Sequence, residues 1–408
     1  MAKPRAKSRT QKAAPRGMAH AKVKAKPKLK AKPAAAKAKG KARMVRTPAR
    51  KAPVKAVAKR RAVKTAVRRP ARPAPIVQNG AAPQPHSIAA NVPSYDQLPV
   101  REGAPAGSAW GVFGDDDQVG TINLMTPERV KVASAFIRSG RVFALNLPID
   151  VPDPPLFTRG KHRHTIKQFS NFILDDYLDN FYPQASSQWD ALCHVKHPRL
   201  GGYNGVPDSE ITGYGGSKLG IDNLARRGIA GRGVLADIGR YYERYSKPID
   251  YSTNDVVPLE DLVATLESQK SEIWPGDVLL IRIGWTRAYR AMSEWQKADL
   301  ARETKTPGIE GSARTAKWLW DQHLAAVASD SPALEAVPPP STGDFMESND
   351  LLHFHMLSFF GMPIGEMWNL EELAEDCAGD GRYEFFFTSA PLNIPGGVGS
   401  PPNALAVK

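Results

Sequence analysis

The first 82 residues of this chain cannot supply a hydrophobic core, which confines any compact fold to the residues that follow. They are mostly Lys, Arg, Ala and Pro, and the first acidic residue among all 408 is Asp96. A segment so poor in large apolar side chains buries too little surface to offset the entropy of ordering. We therefore predict a disordered basic tail over 1–82, a Pro-rich linker or arm over 83–107, and a folded domain over 108–400.

The positive charge of the chain is concentrated in this tail. Of the 56 Lys and Arg residues, 27 lie at or before Arg72, whereas all 41 Asp and Glu residues come later. A flexible polycation binds DNA or RNA without sequence specificity, so non-specific nucleic acid is a candidate partner of the tail. The acidic remainder gives no such indication. A solubilising extension without a binding role is an equally open alternative.

Cysteine content and hydropathy bear on the cellular location. Only Cys193 and Cys377 occur, and neither lies in a CxxC motif, so no disulfide framework is predicted. No apolar run approaches the roughly 18 residues that a membrane-spanning helix needs. We therefore predict a cytoplasmic protein without membrane contact.

Helix and strand signals alternate after residue 108. A helix begins after Thr126, where a capping hydroxyl precedes Pro127 and an acid in the first turn. Continuous apolar runs predict buried strands at 231–238, 275–285 and 325–331. The predicted helices lie at 127–136, 258–266, 287–303, 312–325, 351–360 and 370–377. This alternation predicts an α/β domain with a mixed, largely covered sheet. A strand is also predicted at 384–388, and GGVGS near Gly396 is interpreted as a flexible turn.

One short stretch, QASSQWDALCH over 184–194, combines the residue types of an acid/base site. It places Asp190 and His194 four residues apart, with Gln184 and Gln188 just upstream. A carboxylate and an imidazole can transfer protons or bind a metal ion, although such a pair is also common without function. Cys193 points away from His194 if the stretch is a strand, which predicts a buried, unreactive thiol.

Six separated stretches resemble, in order, the cyclase family of metal-dependent amidohydrolases, which includes bacterial kynurenine formamidase and isatin hydrolase. They are WGVFGDDDQVGTINLMTPERV from Trp110, SSQWDALCHV from Ser186, GIAGRGVLADI from Gly228, PGDVLLIRIGW from Pro275, ASDSPALEAVP from Ala328 and LHFHMLSFFGMPIGEMWNLEELA from Leu352. The resemblance implies a swivelling β/β/α-like fold. SSQWD is similar to a branch of the family in which this sequence replaces the histidine metal motif.

The resemblance also implies roles for the residues of the short stretch. The family's motif, HxGTHxDxxxH, places its aspartate ligand on Asp190 and its acid/base histidine on His194. Its two leading metal-binding histidines fall on Gln184 and Gln188. We expect a structural role for Gln184. For Gln188, the roles of weak ligand, substrate contact and structural amide stay open, because a carboxamide is a poor ligand for transition metals.

Two more ligands are implied near the C-terminus. Glu366 matches the family's glutamate, and His353 matches its histidine better than His355 does. Residues two apart on a helix face different directions, so only one of these histidines can serve the site. The implied metal set is Asp190, His353, Glu366 and Gln188 with zinc or manganese, and the implied catalytic residues are His194 and Asp190.

The implied activity is metal-dependent hydrolysis of a C–N bond in a formamide or cyclic amide. It is arylformamidase-like, as in tryptophan-to-kynurenine catabolism, with a small-molecule amide as substrate and a homo-oligomer as the expected assembly. The alternative is a non-catalytic, nucleic-acid-associated protein in which a degenerate cyclase domain accompanies the cationic tail.

Two other candidates have plainer interpretations. His162 and His164 form an HxH pair that could bind a metal ion from one strand face. The flanking Lys161, Arg163 and Lys167 favour a solvated basic surface instead. Asp330 follows an apolar run, where it can cap a turn or orient a side chain of the site, and we favour the structural role.

Overall fold

The computed structural model of this protein describes residues 92–212, 217–303, 305–339 and 351–408. The predicted basic tail over 1–82 lies outside these residues, and so does the predicted arm as far as residue 91. All described residues belong to the unit Val77–Lys408.

The strands range from two to nine residues in length. In chain order they are β1 (Val142–Ala144), β2 (Arg163–Ser170), β3 (Ile173–Asp179), β4 (Gln188–Asp190), β5 (Ile229–Asp237), β6 (Val256–Val257), β7 (Val278–Arg282), β8 (Gly308–Ile309), β9 (Ala326–Ser329), β10 (Ile364–Glu366), β11 (Glu384–Ser389), β12 (Gly399–Ser400) and β13 (Ala404–Val407).

One α-helix precedes the first strand, and the other α-helices lie between strands. They are α1 (Pro127–Ala133), α2 (Ile221–Arg227), α3 (Ile238–Tyr245), α4 (Leu259–Gln269), α5 (Trp285–Ala291), α6 (Glu294–Glu303), α7 (Ala313–Asp321) and α8 (Glu371–Asp380), with a π-helix at Phe354–Phe360. Among the described residues, no helix is long and apolar enough to cross a membrane.

One mixed sheet organises these elements. Within the described part of the chain it has nine strands in the order β1-β13-β11-β5-β7-β9-β10-β4-β12. The central strands β5, β7, β9 and β10 run parallel, and the strands on both sides of them pair antiparallel. The strands β2 and β3 form a separate hairpin, and β6 pairs with β8. The predicted mixed α/β fold is therefore confirmed.

The central strands are buried because the sheet is covered. Every residue of β7 and β9 is buried, and β5 is buried except for one position. Helices α1 and α4 contact β5, and α3 contacts β7. The start of α1 follows the predicted signal, since the hydroxyl of Thr126 accepts a hydrogen bond from the backbone of Arg129 at 3.4 Å.

Two local predictions are wrong. The single helix over 287–303 is two helices, α5 and α6, because the backbone of Met292 is extended. GGVGS is not entirely a flexible turn, because its last two residues, Gly399–Ser400, pair with β4; the segment Ala404–Val407 after it pairs with β1 and β11. Strands of two to four residues acquire their stability from their neighbours in the sheet, which a local pattern does not show.

Residues 92–107, placed in the predicted arm, contact the body of the fold. The backbone N–H of Tyr95 donates to Oδ1 of Asp321 at 2.7 Å, and the indole of Trp320 donates to the carbonyl of Pro93 at 2.9 Å. Tyr95 and Leu98 also pack against the hydrophobic core. The boundaries at 108 and 400 stay predictions.

Candidate metal and acid/base site

Strands β4 and β10 bring three polar side chains to one face of the sheet. In their antiparallel register Glu366 lies opposite Gln188, and Ile364 lies opposite Asp190. Residues two apart on a strand share a face, and directly opposed residues share it as well. Gln188, Asp190 and Glu366 therefore project together, whereas Trp189 projects into the core on the other side.

His353 closes this group from the residues just before the π-helix. Its Nε2 lies 3.0 Å from Oε1 of Glu366 and 3.8 Å from Oδ2 of Asp190. One ligand atom from each of these three residues lies within 4.8 Å of the other two, and all three side chains are buried. His355 instead packs its ring against Phe359 and Phe360. The structure thus brings His353, and not His355, to the two carboxylates.

Glu335 fixes the orientation of His353, and the sequence did not single it out. Both carboxylate oxygens of Glu335 lie 2.9 Å from Nδ1 of His353, and one of them accepts the backbone N–H of the same residue at 3.1 Å. This contact leaves Nε2 facing Asp190 and Glu366, as in carboxylate–histidine–metal arrangements. The only local signal was a glutamate within the apolar run SPALEAV, where a fully buried carboxylate requires a partner. We call Asp190, Glu335, His353 and Glu366 the Asp190 cluster.

Both glutamines of the short stretch contact the Asp190 cluster. Nε2 of Gln184 lies 2.9 Å from Oδ1 of Asp190 and 2.9 Å from Nδ1 of His194. Nε2 of Gln188 donates to Oε2 of Glu366 at 2.5 Å and to Asp190 at 3.3 Å. A glycine makes room here, because a Cβ at Gly399 would lie 2.7 Å from Cγ of Gln184. Gln184, expected to be structural, therefore touches both predicted catalytic residues.

His194 lies at the solvent side of the cluster. Its Nε2 is 3.7 Å from Oδ1 of Asp190, and its side chain is 24% exposed while that of Asp190 is fully buried. Cys193 is buried beside it, and burial raises the pKa of this thiol to about 12. His194 is thus the member of the stretch that a substrate can reach, and Cys193 is unreactive as predicted.

The pKa values of the cluster reflect an excess of buried carboxylates. Burial and the neighbouring Asp190 raise the pKa of Glu366 to about 7. Burial alone would raise the pKa of Asp190, but the charges of His194 and His353 outweigh it and lower that pKa. Burial would lower the pKa of His353, yet Glu335, Asp190 and Glu366 raise it well above the usual value. Burial lowers the pKa of His194.

The residues present fit a divalent metal ion. Among the described residues, Oδ2 of Asp190 and Oε1 of Gln188 are buried oxygens without a hydrogen-bond partner. A buried carboxylate oxygen requires a hydrogen bond or a cation. Two carboxylates and one imidazole form a donor set suited to zinc or manganese. The orphaned amide oxygen of Gln188 is a weaker fourth donor.

The remaining candidates lie in other surroundings. His164 contacts Asp176 at 2.7 Å on the exposed hairpin, and the ring of His162 lies against Phe181. Asp330 accepts the backbone N–H groups of Ile283 and Gly284 at 2.7 and 2.9 Å, which is the geometry of a capped turn. Burial raises the pKa of Asp330 to about 7.

Comparisons with known proteins agree with this fold. The family model described as "Putative cyclase" matches residues 137–336. A crystal structure described as that of a novel cyclase is 39% identical, with a TM-score of 0.65, and the match covers 74% of this chain and 99% of that one. The chain therefore belongs to the cyclase family.

More distant structures also match. Isatin hydrolase A from Labrenzia aggregata, bound to benzyl benzoate, is 17% identical with a TM-score of 0.45, over 65% of this chain and 93% of that one. A predicted metal-dependent hydrolase from Bacillus stearothermophilus is 14% identical with a TM-score of 0.40, over 65% and 97%. A search of curated proteins finds no match.

Proposed function

We propose that this protein is a metal-dependent hydrolase that cleaves the C–N bond of a formamide or cyclic amide, with arylformamidase-like chemistry. The observation that carries the proposal is the convergence of Asp190 with His353 and Glu366, from two distant parts of the sequence, on one buried point. His194 lies next to that point and reaches solvent. A buried ligand set beside an accessible imidazole is the arrangement that metal-assisted hydrolysis requires.

The Asp190 cluster would hold the ion. Oδ2 of Asp190, Oε1 of Glu366 and Nε2 of His353 would be its ligand atoms, and Glu335 keeps Nε2 of His353 directed inward. A bound divalent cation supplies Lewis acidity, which activates water and stabilises negative charge on a carbonyl oxygen. The two carboxylates match the charge of the cation in a place that excludes water.

His194 is placed to transfer the proton. An imidazole beside the reacting water accepts its proton as the new C–O bond forms, and it then returns that proton to the departing nitrogen. The amide of Gln184 contacts Nδ1 of His194 and Oδ1 of Asp190, so it holds the ring and the carboxylate in a fixed relation. The products are a carboxylic acid and an amine, which accounts for both hydrogens of the water.

The test is a metal analysis of the purified full chain together with turnover of an N-formyl aniline. We expect the protein to retain zinc or manganese and chelation to abolish turnover. Asp190→Ala should lose both the ion and at least about a thousandfold in turnover. Asp208→Ala is the control, because Asp208 is an exposed aspartate paired with Lys196 outside the cluster. Protein without bound metal, and without a thermal shift in zinc, manganese or magnesium, would refute the proposal.

The nucleic-acid alternative depends on residues outside the described part of the chain. Its basis is the 27 Lys and Arg residues at or before Arg72. It predicts that removal of residues 1–80 abolishes retention on DNA across a salt gradient. Equal retention of the truncated and full chains would contradict it. The substrate, the homo-oligomer and the cytoplasmic location remain predictions.

A further inference from the structure

A strained stretch of backbone precedes β2, beside the candidate site. Phe157 and Thr158 have φ angles of 56° and 57°, in the left-handed region that amino acids with a side chain rarely adopt. Two such residues in succession cost on the order of 1–2 kcal/mol each, so contacts around them must hold them there. Strain of this kind is concentrated at functional sites, which draws attention to the next residue, Arg159.

Contacts on two sides fix Arg159 against the candidate site. Its Nη1 donates to the backbone oxygen of Gln184 at 2.5 Å, and its guanidinium carbon lies 5.0 Å from the centre of the ring of Phe157. The side chain of Gln184 in turn contacts Nδ1 of His194 and Oδ1 of Asp190, both at 2.9 Å. Gln184 thus connects this guanidinium to the predicted catalytic pair through direct contacts.

Arg159 has no carboxylate partner among the described residues, although it is half-buried. In that part of the chain it forms no ion pair, and its only hydrogen-bond partner is the backbone oxygen of Gln184. Five other arginines that are buried or half-buried each pair with an Asp or Glu side chain: Arg101, Arg232, Arg240, Arg282 and Arg382. A guanidinium has five N–H donors in a planar fork, which binds a carboxylate through two parallel hydrogen bonds. The remaining donors of Arg159 are therefore available to a ligand.

The charge of Arg159 reaches the interior of the site. Burial lowers the pKa of His194, and the positive charge of Arg159 lowers it further. Burial and Asp190 raise the pKa of Glu366 to about 7, and the charge of Arg159 opposes them. A carboxylate bound to Arg159 would therefore lie close to the proton-transfer residue, where the rest of the same molecule can react.

We propose that Arg159 binds a carboxylate on the substrate, so that the amides cleaved at this site are anions with a carboxylate near the C–N bond. The inference rests on the proposed hydrolase function and names its substrate class. Without a cation at this position, the negative charge of the Asp190 cluster would disfavour an anionic substrate. Two parallel hydrogen bonds from Arg159 also fix the orientation of the substrate relative to His194.

Turnover of N-formyl aniline and of its 2-, 3- and 4-carboxylates tests the substrate class, because these compounds differ only in the carboxylate on the ring. We expect the full chain to prefer at least one carboxylate about 10–100-fold in kcat/KM, mainly through KM, as one charge-assisted hydrogen-bonded pair provides. Arg159→Met should abolish the preference. Arg159→Lys keeps the charge without the fork and should retain part of it. Arg302→Met is the control, at an exposed arginine paired with Asp299, and should keep the wild-type preference.

The ratio of the anionic to the neutral substrate separates carboxylate binding from a structural role of Arg159. Displacement of Gln184 would slow both substrates, and the ratio cancels such a common loss. If Arg159→Met lowers kcat/KM equally for the neutral and the anionic formamides, Arg159 only holds Gln184 in place, and the proposal is overturned. A wild-type chain that prefers none of the three carboxylates overturns it as well.

Calorimetric titration with benzoate tests the same contact without turnover. Wild type should bind benzoate about tenfold or more tightly than Arg159→Met. Equal affinities would mean that the anion binds elsewhere in the site, against the proposal. Benzoate binding that depends on Arg159, in a chain that cleaves no formamide, would contradict the hydrolase function while leaving the carboxylate contact in place.

Discussion

Two clusters of charged side chains at the same sheet differ in how their charges are matched. One is the Asp190 cluster. The other, which we call the Arg282 network, consists of Arg282, Asp237, Glu371 and Arg240. In the network, the guanidinium of Arg282 donates to Asp237 at 2.6 Å and to both oxygens of Glu371 at 2.9 and 2.8 Å. Asp237 accepts a further hydrogen bond from Arg240. Each carboxylate of the network thus faces a guanidinium.

The Asp190 cluster has three carboxylates and no such partner. Among the described residues, no Lys or Arg side chain forms an ion pair with Asp190, Glu335 or Glu366. Oδ2 of Asp190 has no hydrogen-bond partner in the same part of the chain. The only cation paired with these three carboxylates among the described residues is the imidazole of His353, and burial of excess negative charge is unfavourable unless a ligand supplies the missing positive charge. The comparison separates a structural ion-pair network from a candidate functional site.

Removal of the cation from the Arg282 network should give the largest loss of stability. Arg282→Met would leave the buried Asp237 and the half-buried Glu371 without this guanidinium, and we expect a loss of about 3–5 kcal/mol in the free energy of unfolding. Asp190→Asn removes an unmatched charge, and in chelated protein it should change stability by no more than about 1 kcal/mol. Urea denaturation of both variants measures the difference. Equal losses would mean that the Asp190 cluster is also a structural network.

Asp330 is another buried carboxylate of this sheet region, and it leads to a pH-dependent prediction. Its carboxyl is held by two backbone N–H groups, and burial raises its pKa to about 7. Between the ordinary pKa near 4 and this value, the unfolded chain releases the proton while the folded chain keeps it. Stability contributed at this position is therefore present at low pH and lost as pH rises toward 7, by on the order of 4 kcal/mol.

Asp330→Asn removes that titration. Relative to wild type, the variant should become progressively more stable from about pH 4 to about pH 7, and the difference should then level off. Urea midpoints across this interval measure the effect. Parallel curves for the two proteins would show that Asp330 does not titrate in this interval.

The sequence predicts the central part of the fold better than its edges. The strands β5, β7 and β9 are mostly apolar because a covered parallel sheet buries both of their faces, so local composition reveals them. The strands β10, β12 and β13 have two to four residues each, and their pairing partners lie far away in the sequence. Nothing local distinguishes such segments from turns, and GGVGS was accordingly taken for one.

The residues of the candidate site are likewise predictable from the sequence only in part. The resemblance to the cyclase family supplied Asp190, His353 and Glu366 as one set, although Asp190 and Glu366 meet only through the pairing of β4 with β10. Glu335 and the contacts of Gln184 could not be predicted, because they depend on which side chains the folded chain brings within hydrogen-bond distance. A buried glutamate in an apolar run is a weak signal until its partner is known.

Glu335 should strengthen metal binding, although it belongs to the Asp190 cluster only as the partner of His353 and is not itself a proposed ligand. Glu335→Gln keeps one hydrogen bond to Nδ1 of His353 but removes the charge that holds the ring. We expect metal affinity to fall about 10–100-fold, as for other residues that orient a histidine ligand. Competition with a chromogenic chelator measures the affinity without reference to activity. Glu303→Gln, at an exposed glutamate paired with Lys305, is the control. An unchanged affinity would assign Glu335 to stability alone.

The smallest expected effect is a gain in zinc affinity when Gln188 is replaced by His. Because it is a gain and not a loss, it tests the comparison between the Asp190 cluster and the Arg282 network most directly. Gln188 lies opposite Glu366, fully buried, with an amide oxygen that has no partner among the described residues. An imidazole there would add a stronger nitrogen donor to a cluster that already has excess negative charge. We expect Gln188→His to bind zinc about tenfold more tightly. Gln296→His, at an exposed glutamine, should leave the affinity unchanged. If Gln188→His binds zinc no better than wild type, Gln188 does not occupy a ligand position, and its amide serves instead to donate hydrogen bonds to Asp190 and Glu366.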